Sequence, residues 1–305
     1  MGFERATMAQ AYLKVGIYGD TGSGKTLTSL KIATKIGKTA MIATERAMDF
    51  YAAEYAFDIS YTCSLEEATD LIYQAVEGGY KCLIIDQMTH FWESAQDTYV
   101  AEEHSKMSKA WGVIEKTGNF PFYAWKKIKR PYKKFVRTLM DAPIHVFLLG
   151  RLSREYQVSG EDIKVTGERM NAEKDTPYEP HILVKMEFKK PRKWLAWVEK
   201  DHSGTIQGQV FENPTGDIFD PILSKLGKEQ GQSPKMVEDT STTSIEDEPI
   251  KGSQVTIIKI LAKKGGLDSE VVEETLKTLT ALEAGEIINQ MTAGNYSALF
   301  TKEES

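Results

Sequence analysis

The chain has 305 residues, 41% of them hydrophobic and 10% aromatic, enough apolar material to fill a core and to exclude a disordered chain. No apolar run reaches the roughly 20 residues of a membrane-spanning helix, and Cys63 and Cys82, the only cysteines, exclude a disulfide framework and read as small buried hydrophobes. A formal charge of -6 excludes wholesale coating of nucleic acid and leaves phosphate contacts to local basic faces.

The first residues, MGFERATMAQAYLK, lack the basic, apolar and small-residue order of a secretory leader, so a cytoplasmic location is expected. Residues 12–18 read as a strand that meets the turn GDTGSGKT, after which Leu27, Leu30, Ala33 and Ile36 recur at helical spacing. Residues 39–44 (TAMIAT) and 81–86 (KCLIID) are short buried strands with a helix, 65–78, between them. Two or three helices are expected between 88 and 140, broken near Gly118 and Asn119 and at Pro131. Residues 142–150 (APIHVFLLG) form a further strand. A polar hairpin at 154–165, a loop running to Pro180, and a second hairpin of 182–188 with 194–199 around Lys190 and Pro191 extend the sheet antiparallel.

Strands alternating with helices make parallel βαβ units, so the expected fold class is α/β, a three-layer core with a mostly parallel sheet and an antiparallel extension. Residues 227–252, rich in Gly, Ser, Thr, Pro and acid, read as a linker. Beyond them, apolar residues at helical spacing with breaks at Gly265, Gly266 and Thr280 predict a small domain of three or four short helices. The domain boundaries are therefore read as 1–227, 228–252 and 253–305.

Gly19, Asp20, Thr21, Gly22, Ser23, Gly24, Lys25 and Thr26 spell the phosphate-binding loop G-x-x-x-x-G-K-T in its required setting, after a strand and before a helix. Glycines let consecutive backbone N–H groups curl around phosphate oxygens at the positive end of the helix dipole. Lys25 then carries charge to the β and γ phosphates, and Thr26 offers its hydroxyl to Mg2+, so ATP and Mg2+ are the expected ligands. Asp86 ends the apolar strand LIID, where a carboxylate reaches the metal; capping of the next helix is its competing reading. Glu45 follows TAMIAT and is placed either to polarise the attacking water or to make a surface ion pair. Five scattered histidines lack metal-ligand spacing.

The stretch TAMIATERAMDFYAAEY, set between the phosphate loop and LIID, resembles the strand-end glutamate region of RecA-like recombinases, which implies that Glu45 is the catalytic glutamate. WVEKDHSGTIQG resembles the hairpin by which RecA-like hexameric helicases send a cation into a neighbour's site, which implies that Lys200 acts in trans and that the chain forms a homo-oligomer; a plain hairpin-turn lysine is the alternative. From residue 13 to 219 the arrangement is most similar to the phage-associated nucleotide-binding family of RecA-like, AAA-type P-loop ATPases. That resemblance implies a role in phage recombination, annealing or replication on single-stranded DNA, in the host cytoplasm. Where the family's polar sensor follows the fourth strand, this chain has Gly150 and Arg151, and Arg151 stands in for it. The resemblance also implies that the polar stretch 153–180 is a DNA-contacting loop. LTALEAGEIINQM is similar to helical modules of phage recombination proteins and implies a protein partner.

FPFYAWKKIKRPYKKFVR, residues 120–137, interleaves Lys126, Lys127, Lys129, Arg130, Lys133 and Lys134 with aromatic residues and contains no acid. The cations attract phosphates and the aromatics stack on bases, as single-stranded DNA requires. Equally, Trp125, Ile128, Tyr132, Phe135 and Leu139 lie at core spacing on one helix, leaving the lysines as a solvated face. Two other functions compete with a DNA-stimulated ATPase. One is a slow nucleotide switch that recruits a partner through the C-terminal helices. The other is a small-molecule kinase, whose basic lid has only residues 120–137 to supply it.

Overall fold

The computed structural model describes residues 12–46, 48–121, 123–159, 162–226, 252–276, 281–292 and 294. Two compact units divide the chain, Met1–Met236 and Val237–Ser305. Of the expected linker 228–252, only Gly252 lies among the described residues, as does neither Thr280 nor Phe122.

In the first unit the order is β1 (Lys14–Gly19), α1 (Lys25–Ile36), β2 (Thr39–Ala43), β3 (Asp58–Tyr61), α2 (Leu65–Glu77), β4 (Cys82–Asp86), α3 (Met88–Ser105), α4 (Lys109–Thr117), α5 (Ala124–Asp141), β5 (His145–Ser159), β6 (Asp162–Asn171), β7 (Ile182–Lys189), β8 (Lys193–Asp201), β9 (Val210–Glu212) and α6 (Asp220–Leu226). Its strands join in one sheet, ordered β3-β2-β4-β5-β1-β7-β8-β9, with β6 paired to the outer half of β5. From β3 to β7 every pairing is parallel, while β8, β9 and β6 are added antiparallel. The expected class, α/β with a mostly parallel sheet and an antiparallel extension, is the one observed.

Helices cover both faces, which is why β1 and β4 are buried along their whole length and why β4 reads as an apolar run up to Asp86. Successive side chains of β5 serve opposite cores. Val146 and Leu148 pack with Ile72 of α2, Phe91 of α3 and Phe135 of α5. Phe147 and Leu149 pack with Leu30 and Ile32 of α1 and with Phe219 and Ile222 on the other side. The second unit contains α7 (Gly252–Lys264), α8 (Ser269–Leu276) and α9 (Ala281–Thr292), packed around Ile258, Val272, Ala284 and Met291.

Several expectations need correction. Pro131 does not break the chain, because α5 runs unbroken from Ala124 to Asp141. An interior proline costs roughly 3 kcal/mol, but Pro131 is on the exposed side while Ile128, Tyr132, Phe135 and Leu139 are each at most 1% exposed. Four buried side chains at roughly 1.5–3 kcal/mol each outweigh one lost hydrogen bond. The hairpin expected at 154–165 is present and longer, β5 running to Ser159 and pairing with β6 up to Asn171, so the stretch 153–180 read as a DNA-contacting loop is strand ribbon over most of its length. Only Cys82 is buried; Cys63 is exposed at the end of the β3 to α2 connection. Strand β3, four residues long, lies at the sheet edge and has no interior apolar run to betray it.

A buried lysine and a partly buried, neutral histidine shape the base of the sheet. Lys14 Nζ donates to the carbonyls of Leu139, Ala142 and Ile144 at 3.0, 2.6 and 2.9 Å, closing the C-terminal turn of α5. Nearby, the Leu13 N–H donates to His145 Nδ1 at 3.0 Å, a bond that needs the neutral ring. Burial, helped by the charges of Lys14 and Lys81, pushes His145 down to about 4. Because the folded value lies below the unfolded one, this contribution to stability is complete above the ordinary value of 6.5 and is lost as pH falls towards about 4. His145→Asn, which keeps an acceptor but cannot protonate, is expected to lose less stability over that window, by up to about 3 kcal/mol, in urea unfolding at a series of pH values.

Candidate active site

The C-terminal edge of a parallel sheet is where loops and helix N-termini converge on ligands, and here the ends of β1, β2 and β4 meet the middle of β5. Register places Gly19 opposite Arg151 across β1 and β5, and Ala43 opposite Asp86 across β2 and β4. Leaving β1, the chain turns through residues 19–26 into α1, with Gly22 at φ 74° and Gly24 at φ 88°, values that favour glycine. At Gly19 a Cβ would lie 2.2 Å from the Met186 carbonyl oxygen and 2.7 Å from Ser23 Oγ, so no side chain fits there. Gly24 caps α1 with no side-chain bond to the first turn, which leaves those amides for an anion. Ser23 Oγ is buried inside this cradle and has no hydrogen-bond partner among the described residues.

Lys25 turns back on the loop, its Nζ donating to the Gly19 and Asp20 carbonyls at 3.0 Å each. Burial lowers its pKa, against the pull of Asp86 and Asp20. Thr26 Oγ1 donates to Asp86 Oδ2 at 2.7 Å. Only 2% of Asp86 is exposed, and burial pushes its carboxyl up while the Thr26 bond and the Lys25 charge pull it down. A buried carboxylate and a hydroxyl in contact, beside a curled loop with an orphaned serine oxygen, are a donor set that suits a divalent cation bridged to phosphate. Gln87, not Asp86, holds the N-cap position of α3, so helix capping does not account for the aspartate.

Glu45, just past β2, sits in a polar cluster drawn from the end of β4, the first turn of α3 and the middle of β5. Its Oε1 is 2.6 Å from Arg151 Nη2 and 3.4 Å from His90 Nε2. Arg151 also donates through Nε to Gln87 Oε1 at 3.1 Å and through its backbone N–H to Thr89 Oγ1 at 3.1 Å. His90 Nδ1 is 2.6 Å from Thr44 Oγ1. Asp20, in the phosphate loop, accepts from Arg154 at 2.7 Å. Sequence reasoning set His90 aside with the scattered histidines and did not single out Thr44, Gln87 or Arg154. The missed hint for His90 is its place one helical turn beyond Asp86 at the start of α3.

Lys200 is not brought to this cluster. It pairs with Leu183 near the opposite end of the sheet, and its Nζ donates to the Tyr178 and Pro180 carbonyls at 2.6 and 2.7 Å. On α5, the aromatics take the core reading: Phe120 and Trp125 pack against the core that contains Tyr132 and Phe135. The basic residues divide. Lys127, Lys129 and Lys133 meet Glu103, Glu173 and Asp175 at 3.6, 2.6 and 2.9 Å. Lys126, Arg130 and Lys134 stay exposed at every fourth position and have no ion pair among the described residues.

Residues 11–207 match the family described as an AAA domain. The chain belongs to the AAA domain family. The match takes in the phosphate loop, Glu45, Asp86, Arg151 and the β7–β8 hairpin, and it carries to this chain the character of a P-loop ATPase. No curated protein matches the AAA domain chain or its tail. Among solved structures it is similar to a KaiC-like protein from the hyperthermophilic archaeon Pyrococcus horikoshii, with 17% identity, a TM-score of 0.39, and 65% of this chain and 83% of that one covered. Among the described residues of this AAA domain protein no helix is long and apolar enough to cross a membrane.

Proposed function

We propose that this AAA domain binds ATP with Mg2+ at residues 19–26 and hydrolyses it in work on single-stranded DNA. The observation that carries the nucleotide reading is the Thr26 to Asp86 contact beside buried Lys25, which joins the phosphate loop to the end of β4. Backbone amides of the loop and the first turn of α1 hold the phosphate oxygens, and Lys25 adds charge where the transition state accumulates it. Thr26 and Asp86 would hold the Mg2+, which when bound neutralises phosphate charge. Glu45 orients the attacking water and takes its proton, with Arg151 and His90 fixing the carboxylate. Arg151, level with Gly19 in the register of β1 and β5, is assigned here as the sensor for the terminal phosphate.

The DNA part of the reading is supported by the column Lys126, Arg130 and Lys134. Three phosphate contacts give a salt slope of about -2 for a single strand. ATP turnover measured in parallel with no DNA, single-stranded DNA and duplex DNA is expected to rise with the single strand. The rise should fade with salt and be lost when the three cations are changed together to alanine. Equal turnover in all three, with unaltered DNA mobility, rejects the DNA reading and leaves ATP hydrolysis standing.

A second reading, a slow nucleotide switch that recruits a partner through α7, α8 and α9, is favoured by one observation: Glu45 is paired with Arg151, a cation that opposes the proton uptake required of a general base. The kinase reading loses its lid, because the basic segment is α5 with its apolar side in the core. Lys200 facing a neighbouring copy, and a place in phage recombination, belong to the same proposal and rest on the resemblance alone.

A further inference from the structure

One side chain on the phosphate loop has no part in the roles assigned above. Trp194 stands at the start of β8, after the turn of Lys190, Pro191 and Arg192, and it reaches the loop from the side away from Glu45. Its indole Nε1–H donates to the Gly22 carbonyl at 3.2 Å. A Cβ at Gly24 would lie 3.1 Å from Trp194 Cδ1 and 3.6 Å from Nε1, so the ring fills the space that the glycine leaves open. Trp194 is itself held. Its backbone N–H donates to Asn213 Oδ1 at 3.1 Å, the Asn213 N–H donates back to its carbonyl at 2.6 Å, and Phe188 packs on the ring at a centroid distance of 5.1 Å.

Glycines give a loop access to the required φ values but no stiffness, and ordering such a loop on binding costs conformational entropy. A tether from a rigid hairpin removes part of that cost before the ligand arrives. We propose that Trp194 is a positioning residue that holds the loop at Gly22 and Gly24 in its phosphate-receiving curl. The inference rests on the nucleotide reading above and adds to it a residue that acts through the loop, touching neither base nor reacting atoms.

The test uses the full chain with Mg2+ and two probes, ATP and inorganic tripolyphosphate, on the wild type and on Trp194→Phe, which keeps an aromatic ring and removes the N–H donor. Loss of one neutral hydrogen bond is expected to weaken both probes alike, by roughly three- to tenfold. KM for ATP should rise with kcat unchanged and the thermal midpoint unaltered. Probe-induced fluorescence change from the indole, present in the wild type, should be lost in the variant, although four of the five tryptophans remain. Unchanged affinity for both probes overturns the proposal, and so does a loss confined to ATP, which would make Trp194 a base contact. If the wild type takes up neither probe, the nucleotide reading itself falls and this inference with it.

Discussion

Glu45→Gln protein is expected to bind ATP with Mg2+ as tightly as the wild type and to hydrolyse it about 10²–10⁴-fold more slowly, the range that a positioned general base supplies. The change keeps shape and one acceptor oxygen, so the 2.6 Å bond from Arg151 survives and the loop of β2 is not disturbed. What is lost is the ability to take a proton from water. Binding energy and chemistry are thereby separated: equilibrium titration should be unchanged while single-turnover hydrolysis collapses. Both wild-type turnover in the variant and equal loss of binding and turnover count against the assignment, the first because another group is the base, the second because Glu45 then serves only the architecture.

Removing the lysine should have the opposite signature. Lys25→Ala is expected to lower kcat/KM for ATP by about 10²–10³, because a cation aimed at developing phosphate charge acts in a site shielded from water. Its Nζ now rests on two neutral carbonyls, of Gly19 and Asp20, and a triphosphate offers it stronger, charge-assisted partners. Folding should not suffer in proportion. Burial already lowers the lysine's pKa, so the native state bears a desolvation cost that the alanine variant does not. Urea midpoints equal to or above wild type, together with the kinetic loss, are the expected pair of results. An unchanged kcat/KM would remove Lys25 from the site.

How much was legible in advance follows from how local each feature is. The phosphate loop is eight consecutive residues between a strand and a helix, and each residue type answers to a requirement of the backbone or the charge at that position. Asp86 was legible because it ends an apolar run that the sheet's two covered faces demand. The cluster around Glu45 was not. Its partner Arg151 is 106 residues away, and His90 is 45 residues away with no spacing that marks it. On α5 the periodicity showed a two-sided helix but not which cations were engaged, since Glu173 and Asp175, 44 and 42 residues away, decide that.

Taken alone, the order of residues determined the α/β class, the phosphate loop and the strand-end carboxylates, because alternating periodicities and glycine positions act over a single turn or strand. Tertiary structure decided that α5 passes unbroken through Pro131, that the β5–β6 ribbon runs on to Asn171, and that Glu45 is paired with Arg151. Those outcomes depend on burial and charge contacts between segments far apart in the chain, whose free energies exceed the local preferences they override.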